Sequence, residues 1–243
     1  MENKMIPIYF NGRLFTFLFI GFIIATVAGT LSHECGHWLM SRYYGFKKSR
    51  ITYANTSYCG FNEKFLREVS IYKQYPNEIH QHLNFPLKDE YDTLRKETSK
   101  EWMIIQVAGP LQTMFTGTIG LLLLFLYRKK IVGAERLFFS QWLLVFLSLF
   151  WLREIFNLVT AVVLLLTGRI RMHGDEFVLA KHLDWNPWSI SVVAGIASLC
   201  VLWLVVFKVI PAKQRFTFII AGLTGGLSGA YLWLILLGPR LMP

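Results

Sequence analysis

Five long apolar blocks alternate with polar connections along the chain. They cover residues 14–40, 102–127, 138–167, 188–210 and 216–238. A helix needs roughly 20 apolar residues to cross a bilayer, so the first, second, fourth and fifth blocks each predict one membrane-spanning helix. The first block continues past the small residues near Ala28 where a signal peptidase would cut, so we expect it to stay as the first span.

The third block is interrupted near its middle by Arg153, Glu154 and Asn157. Its two halves, residues 138–152 and 155–167, are each shorter than the roughly 17 residues of the shortest spans, so one tilted crossing is favoured over two. The prediction is therefore five spans. Arg153 and Asn157 are four residues apart on one helical face, which we expect to point inward, either in a buried ion pair or in support of a functional site.

A polar segment of 61 residues, 41–101, lies between the first two spans and carries 11 basic and 8 acidic side chains. Within it, residues 50–59 (RITYANTSYC) are typical of a β-strand, most simply in a short hairpin that packs on its neighbours. The alternative is a strand whose edge pairs with an extended peptide. The fold class predicted is an all-α polytopic membrane protein with about five transmembrane helices, in a single membrane domain over residues 1–243.

The composition agrees with this fold, because 54% of the residues are hydrophobic and 16% charged, against roughly 25% charged in an average soluble domain. Lys and Arg outnumber Asp and Glu by 25 to 15. Basic residues beside spans contact anionic lipid, so the expected partner is the lipid bilayer and not a nucleic acid. The basic loops 128–136 and 208–215 favour a cytoplasmic amino terminus. We expect a multi-pass protein of a bacterial cell membrane.

The last third of the first block reads TLSHECGHWLM and carries polar groups that a membrane span does not need for folding. His33 and His37 are four residues apart on one helical face, where two imidazoles can share one metal ion. Glu34 is positioned to take a proton from metal-bound water instead of binding the metal. A charged residue at the centre of a span costs roughly 2.5–3.5 kcal/mol, so such residues are normally retained for function. The alternative is that neighbouring helices merely satisfy these side chains.

A catalytic zinc ion that keeps one position for water needs a third protein ligand. Asp175, in MHGDEF after the third span, is the leading candidate, because two further crossings return the chain to the membrane face of residues 33–37. The preceding glycine allows close backbone approach. Other residues remain open as the third ligand. They are Glu176, His173, Asp184 and Glu154.

The second span opens with QVAGPLQT, where Gly109 and Pro110 are expected to break regular helix. Proline frees a backbone carbonyl, which a membrane tolerates only where protein or a water-filled cavity satisfies it. A small, polar helical face results. It contains Gln106, Pro110, Thr113, Gly117 and Gly120. We expect Gly109, Pro110 and Asn157 to line a substrate cleft, and a purely structural kink is the alternative. In the last span, the glycines of residues 222–229 predict close helix packing.

The combination of HECGH in the first span, AGPLQT in the second and GDE after the third resembles the site-2 protease family of intramembrane zinc metallopeptidases. The resemblance covers about two thirds of the chain. It implies that His33, His37 and Asp175 hold one Zn²⁺ per chain and that Glu34 is the general base. It also implies a membrane-anchored protein or peptide as the substrate.

The chain departs from the family pattern in two places. The family's AGP element usually continues to an asparagine, where this chain has Gln112 and Thr113, and its aspartate usually lies in NxxPxxxLDG, where this chain has HGDEF. Two other functions therefore stay open: a zinc-binding transport protein, since inward His and Asp residues also mark ion pathways, and a membrane scaffold.

Overall fold

The computed structural model describes residues 8–131, 134–168 and 174–243, most of them in helices. The helices are α1 (Gly12–Tyr43), α2 (Glu63–Gln74), α3 (Pro76–His80), α4 (Lys88–Leu126), α5 (Arg128–Ile131), α6 (Phe139–Ser148), α7 (Leu152–Leu166), α8 (Asp175–His182), α9 (Ser189–Leu204), α10 (Ala212–Tyr231) and α11 (Gly238–Leu241). Two strands, β1 (Arg50–Ile51) and β2 (Thr56–Ser57), follow α1. A 3₁₀ turn, Leu149–Trp151, joins α6 to α7. The π-helical segments Val205–Val209 and Leu232–Leu237 continue α9 and α10.

Five helical segments in the described part of the chain are long and apolar enough to cross a membrane. They are Gly12–Tyr43, Lys88–Leu126, Phe139–Leu166, Ser189–Val209 and Ala212–Leu241. The protein is therefore a multi-pass, all-α membrane protein, and each of the five predicted spans corresponds to one of these helical segments. The third apolar block forms one such segment, with its 3₁₀ turn immediately before the polar residues that interrupt it.

The polar segment between the first two spans is largely helical. The helix of the second span begins at Lys88, well before the apolar block at residue 102. Ion pairs to α2 accompany this extension: Arg67 Nε lies 2.7 Å from Glu90 Oε1, and Lys64 Nζ lies 2.8 Å from Glu97 Oε2. Acidic residues in the first turn of α4 also suit the helix dipole. The hydrophobic pattern alone could not show this start, because the added turns are polar.

The helix does not break at Gly109 and Pro110, so that prediction is wrong: both residues lie inside a continuous α4. Both are buried there. The hydroxyl of Thr113 lies 3.0 Å from each of their carbonyl oxygens. Pro110 leaves the Gln106 carbonyl without its helical N–H partner, which a membrane helix tolerates where protein or a water-filled cavity satisfies the freed group.

The strands form a small antiparallel hairpin, in which Arg50 pairs with Ser57 and Ile51 with Thr56. Residues near the carboxyl end of the chain form hydrogen bonds with the turn of this hairpin. The backbone N–H of Tyr53 donates to the carbonyl of Met242 at 3.0 Å, and Trp233 Nε1 donates to the Tyr53 carbonyl at 2.8 Å. The strand expected over residues 50–59 is thus two short strands joined by a turn.

Helix α1 packs along α4 and α10. Its amino-terminal half contributes Leu18 and Phe22 to the main apolar core. The Phe22 ring lies 5.1 Å from that of Phe146 on α6 and 5.4 Å from that of Phe218 on α10, measured between centroids. The carboxyl-terminal half of α1 carries the polar residues, so a rigid apolar core adjoins the polar cluster on the same helix.

The contact between α1 and α10 depends on glycine. A Cβ atom added at Gly225 would lie 2.7 Å from the Phe19 carbonyl oxygen and 2.9 Å from Phe22 Cβ. A Cβ at Gly229 would lie 3.0 Å from Ile23 Cα. Backbone atoms cannot move aside as a side chain can, so larger residues would force the two helices apart. This agrees with the packing role predicted for residues 222–229.

We therefore expect Gly225→Leu to lower the thermal stability of the detergent-solubilised protein, with a loss of about 1–3 kcal/mol from overpacking. The matched control is Gly226→Leu, because a Cβ at Gly226 meets no atom within 4 Å. Thermal unfolding followed by circular dichroism measures both variants. If Gly225→Leu and Gly226→Leu melted at the same temperature, the α1–α10 contact would not require glycine at position 225.

Candidate metal centre

The two histidines of HECGH point inward from the carboxyl-terminal half of α1 toward α4. His33 is 1% exposed and His37 is 4% exposed. Their spacing of four residues places them one turn apart on the same face, and their Nε2 atoms lie 3.2 Å apart. The sequence prediction of a paired imidazole face thus agrees with the described structure.

Asp175 is the first residue of α8 and meets both histidines. Its Oδ2 atom lies 3.0 Å from His33 Nε2 and 3.2 Å from His37 Nε2. Gly174 precedes it with φ of 157°, a conformation that residues with a side chain rarely adopt, and this turn aims the aspartate at α1. Burial alone would raise the pKa of the Asp175 carboxyl, but the two facing imidazoles hold that pKa below its usual range.

The remaining ring nitrogens of both histidines have partners on α4. His37 Nδ1 lies 2.7 Å from the Ile105 carbonyl oxygen, which can only accept, so Nδ1 carries the proton. His33 Nδ1 lies 3.3 Å from Thr113 Oγ1, whose own proton is directed to a backbone carbonyl. His33 Nδ1 therefore donates as well. In the neutral imidazoles, both Nε2 atoms are left with a lone pair.

Three lone-pair donors thus converge: His33 Nε2, His37 Nε2 and Asp175 Oδ2 lie within 3.2 Å of one another. A tetrahedral zinc ion with bonds of about 2.0–2.1 Å has ligand atoms about 3.3 Å apart. Donor type, spacing and the hydrogen bonds behind the rings all fit a divalent metal held by His33, His37 and Asp175. Without a cation, the lone pairs would oppose one another in a buried site.

Gly109 leaves the space that this arrangement needs on the α4 side. A Cβ atom at Gly109 would collide with Nε2 of His37 and would lie 2.8 Å from Nε2 of His33. Gly109 and Pro110 were expected to line a substrate cleft. Of the residues that the structure describes, the cleft wall instead includes Gln106 from this part of α4, while Gly109 lies behind the histidines.

Glu34 is buried beside the histidines but binds neither ring. The Thr56 hydroxyl on β2 is shared between two Glu34 acceptors, since Thr56 Oγ1 lies 3.1 Å from Glu34 Oε2 and 3.0 Å from the Glu34 backbone carbonyl oxygen. The other carboxylate oxygen of Glu34, Oε1, lies 3.7 Å from a terminal nitrogen of Arg153 on α7. One carboxylate oxygen is therefore oriented by the hairpin, and the other faces α7 without a hydrogen bond within the described residues.

A cleft of about 350 Å³ opens onto these groups. One wall is a face of α7, made by Arg153, Phe156, Asn157, Thr160, Ala161 and Leu164. The hairpin and the start of α8 form the other walls.

Tyr58 also lines the cleft. Burial raises the pKa of its hydroxyl, and the carboxylates of Asp175 and Glu34 raise that pKa further, so the hydroxyl stays protonated at neutral pH. The part played by Tyr58 and Thr56 had no signal in the sequence, because they lie in a polar loop without a motif.

The other acidic candidates for the third ligand lie apart from the two imidazoles. Glu176 Oε1 accepts a hydrogen bond of 2.9 Å from Asn157 Nδ2, and its carboxyl group neighbours that of Glu154. Asp184 has φ of 54° in the turn after α8 and is not among the residues of the cleft wall or the metal cluster in the described chain. His173 lies outside the described residues.

Comparison of the chain with protein-family models, with curated proteins and with solved structures gives no match.

We expect Asp175→Ala to abolish stoichiometric zinc binding, because it leaves two imidazoles without the carboxylate that completes the set. Asp184→Ala is the matched control from the same connection and should retain the metal. Zinc per purified chain, measured by atomic emission after dialysis, compares the two. Full zinc content in Asp175→Ala, or its loss in Asp184→Ala, would contradict this ligand assignment.

The bond from Asn157 to Glu176 ties the first turn of α8 to α7, next to Asp175. We therefore expect Asn157→Ala to weaken zinc binding about 10–100-fold, as loss of a ligand-orienting contact does. Thr160→Ala is the control, since Thr160 lines the cleft on the same face of α7. Competition with a fluorescent chelator gives both affinities. Equal affinities for the two variants would mean that this contact does not position Asp175.

Proposed function

We propose that this protein is an intramembrane zinc metallopeptidase that hydrolyses peptide bonds of membrane-anchored proteins or peptides. The observation that carries the proposal is the division between Glu34 and the metal cluster. Three lone-pair donors converge from α1 and α8, while the adjacent Glu34 carboxylate stays out of the set and faces a cleft. Metal-assisted hydrolysis needs such a separation between ligands and base.

A zinc ion held by His33, His37 and Asp175 would supply Lewis acidity, which polarises a carbonyl group and acidifies water. The protein's own groups account for the rest. The Thr56 hydroxyl fixes one oxygen of Glu34, and this leaves Oε1 on the cleft side to accept a proton from water. The Ile105 carbonyl and Thr113 hydroxyl hold the two rings in the tautomer that presents Nε2.

The cleft supports a peptide substrate in contact with the membrane. Its α7 wall combines apolar side chains, Phe156 and Leu164, with the polar side chains of Asn157 and Thr160. Such a surface suits an extended segment with apolar side chains and unpaired backbone groups. A helical substrate must unwind locally first, because its carbonyl groups are otherwise hydrogen-bonded and crowded.

The basic residues support an orientation with the amino terminus in the cytoplasm. The Asn11 backbone N–H donates to Thr217 Oγ1 at 3.1 Å, which places the starts of α1 and α10 together. The nearby connections are rich in basic side chains. They include Arg128, Lys129, Lys130, Lys208, Lys213 and Arg215. By the positive-inside rule, the metal centre then lies toward the outer face of the membrane, which we take to be that of a bacterial cell.

The decisive variant is Glu34→Gln, which keeps the side-chain shape and removes the proton acceptor. We expect cleavage of a quenched membrane-peptide library in liposomes to fall about 10²–10⁴-fold. Bound zinc should stay at the wild-type level, because Glu34 is not a ligand. Glu63→Gln, an exposed change at the start of α2, is the control and should cleave normally.

The same experiment separates the peptidase from the two other functions. A zinc transporter or a scaffold would bind zinc, or its partner, and would cleave no member of the library in either the wild-type or the variant form. Undiminished cleavage by Glu34→Gln would make the assignment of Glu34 as the base wrong.

A further inference from the structure

Arg153 has hydrogen-bond donors that the described part of the chain leaves unused. It lies at the start of α7, immediately after the 3₁₀ turn, and 22% of its side chain is exposed to the cleft. Its nearest ionic partner is Glu34 Oε1 at 3.7 Å, which is too long for a hydrogen bond. Its Nε atom is buried, and no described group accepts from it.

Such a side chain is costly in a membrane span. A guanidinium carries five N–H donors, and each donor buried without an acceptor costs free energy. Intramembrane arginines are therefore normally paired or line a cavity with a function. Because Arg153 lines the cleft and part of its side chain is exposed, a molecule that occupies the cleft can accept hydrogen bonds from the exposed part of the guanidinium.

The surrounding charges indicate what kind of acceptor fits. Four carboxylates interact electrostatically with this one guanidinium: those of Glu34, Asp175, Glu154 and Glu176. Arg153 and a divalent metal ion in the site would together offset the charge of these carboxylates, so the position does not call for a further full anion, such as a carboxylate of the substrate. A neutral oxygen that gains negative charge only during reaction suits the position better. The carbonyl oxygen of a peptide bond is such a group.

We propose that Arg153 is a catalytic residue that donates hydrogen bonds to the carbonyl oxygen of the scissile peptide bond. This inference rests on the proposed peptidase function and assigns a second reacting group to it. Glu34 and Arg153 are close enough to act on one carbonyl group at the same time.

Glu34 and Arg153 have separate roles in the hydrolysis of the peptide bond: Glu34 transfers the proton, and Arg153 faces the carbonyl oxygen. The water oxygen forms a bond to the carbonyl carbon, its proton passes to Glu34, and the carbonyl π electrons move onto the oxygen that Arg153 faces. When that electron pair returns, the C–N bond breaks and the leaving nitrogen takes the proton from Glu34. As Glu34 becomes neutral, the oxyanion gains one negative charge, so the total charge around Arg153 stays constant.

The first experiment measures cleavage by Arg153→Ala in zinc-loaded protein reconstituted in liposomes. We expect kcat to fall about 10²–10³-fold, as for loss of an oxyanion donor, with KM nearly unchanged. Added methylguanidinium should restore part of kcat in Arg153→Ala and none in Glu34→Gln. Arg13→Ala, near the opposite end of α1, is the control and should behave as wild type. An unchanged kcat, or a rise in KM alone, would overturn the proposal.

A binding experiment gives a readout that does not depend on turnover. A membrane peptide with a phosphonate in place of the scissile amide carries a tetrahedral oxyanion. Wild-type protein should bind the phosphonate peptide more tightly than the amide peptide. In Arg153→Ala, the ratio of the two dissociation constants should fall at least about tenfold. Loss of zinc from both Arg153→Ala and Arg153→Lys would instead show a structural role and overturn the proposal. Failure of the wild type to cleave or to bind the phosphonate would refute the peptidase function itself.

Discussion

The structure around the candidate centre depends on one constraint: polar groups inside membrane-spanning helices must find partners within the protein. Lipid offers no hydrogen bonds, so each imidazole and carboxylate needs a partner or an ion. His37 finds the Ile105 carbonyl and His33 the Thr113 hydroxyl, both on α4. Within the described residues, their second nitrogens contact each other and Asp175. A cation is the partner that satisfies all three at once.

This constraint also explains how separate helices are held in register. Helix α1 supplies the histidines, α4 the groups behind them, α7 the cleft wall and α8 the aspartate. The helix of Asp175 is short and is tied to α7 by the Asn157–Glu176 hydrogen bond. At its other end, His182 Nε2 lies 2.8 Å from Ser99 Oγ on α4. Short helices gain stability mainly from such tertiary contacts, so these two ends control where the carboxylate lies.

Much of this arrangement could be predicted from the sequence, because it follows from periodic patterns. Apolar block length predicts the five spans, and the spacing of His33 and His37 predicts a shared face. Span parity brings Asp175 to the same membrane side. Other features depend on contacts between distant segments, which no local pattern encodes. The hydrogen bond from Thr56 to Glu34 and the position of Arg153 beside Glu34 are of this kind.

Two local predictions failed for a related reason. Gly109 and Pro110 suggested a broken helix, but α4 packs closely against α1 and continues through both residues. The polar residues before position 102 suggested a loop, but ion pairs to α2 accompany them in a helix. In each case a tertiary contact overrides a local propensity, as it often does. Glycine at position 109 is then required for close approach to the histidines instead of for a bend.

The Glu34 carboxylate is coupled to parts of the chain that are far from it in sequence. Thr56 orients one of its oxygens, and Thr56 belongs to a two-residue strand that cannot be stable by itself. The hairpin gains its rigidity from the carboxyl end of the chain, through the bonds of Tyr53 to Trp233 and Met242. The orientation of the Glu34 carboxylate thus depends on the last span as well as on α1. Displacement of the hairpin would change the environment of Glu34 directly, since the Thr56 hydroxyl and part of the cleft wall belong to this hairpin.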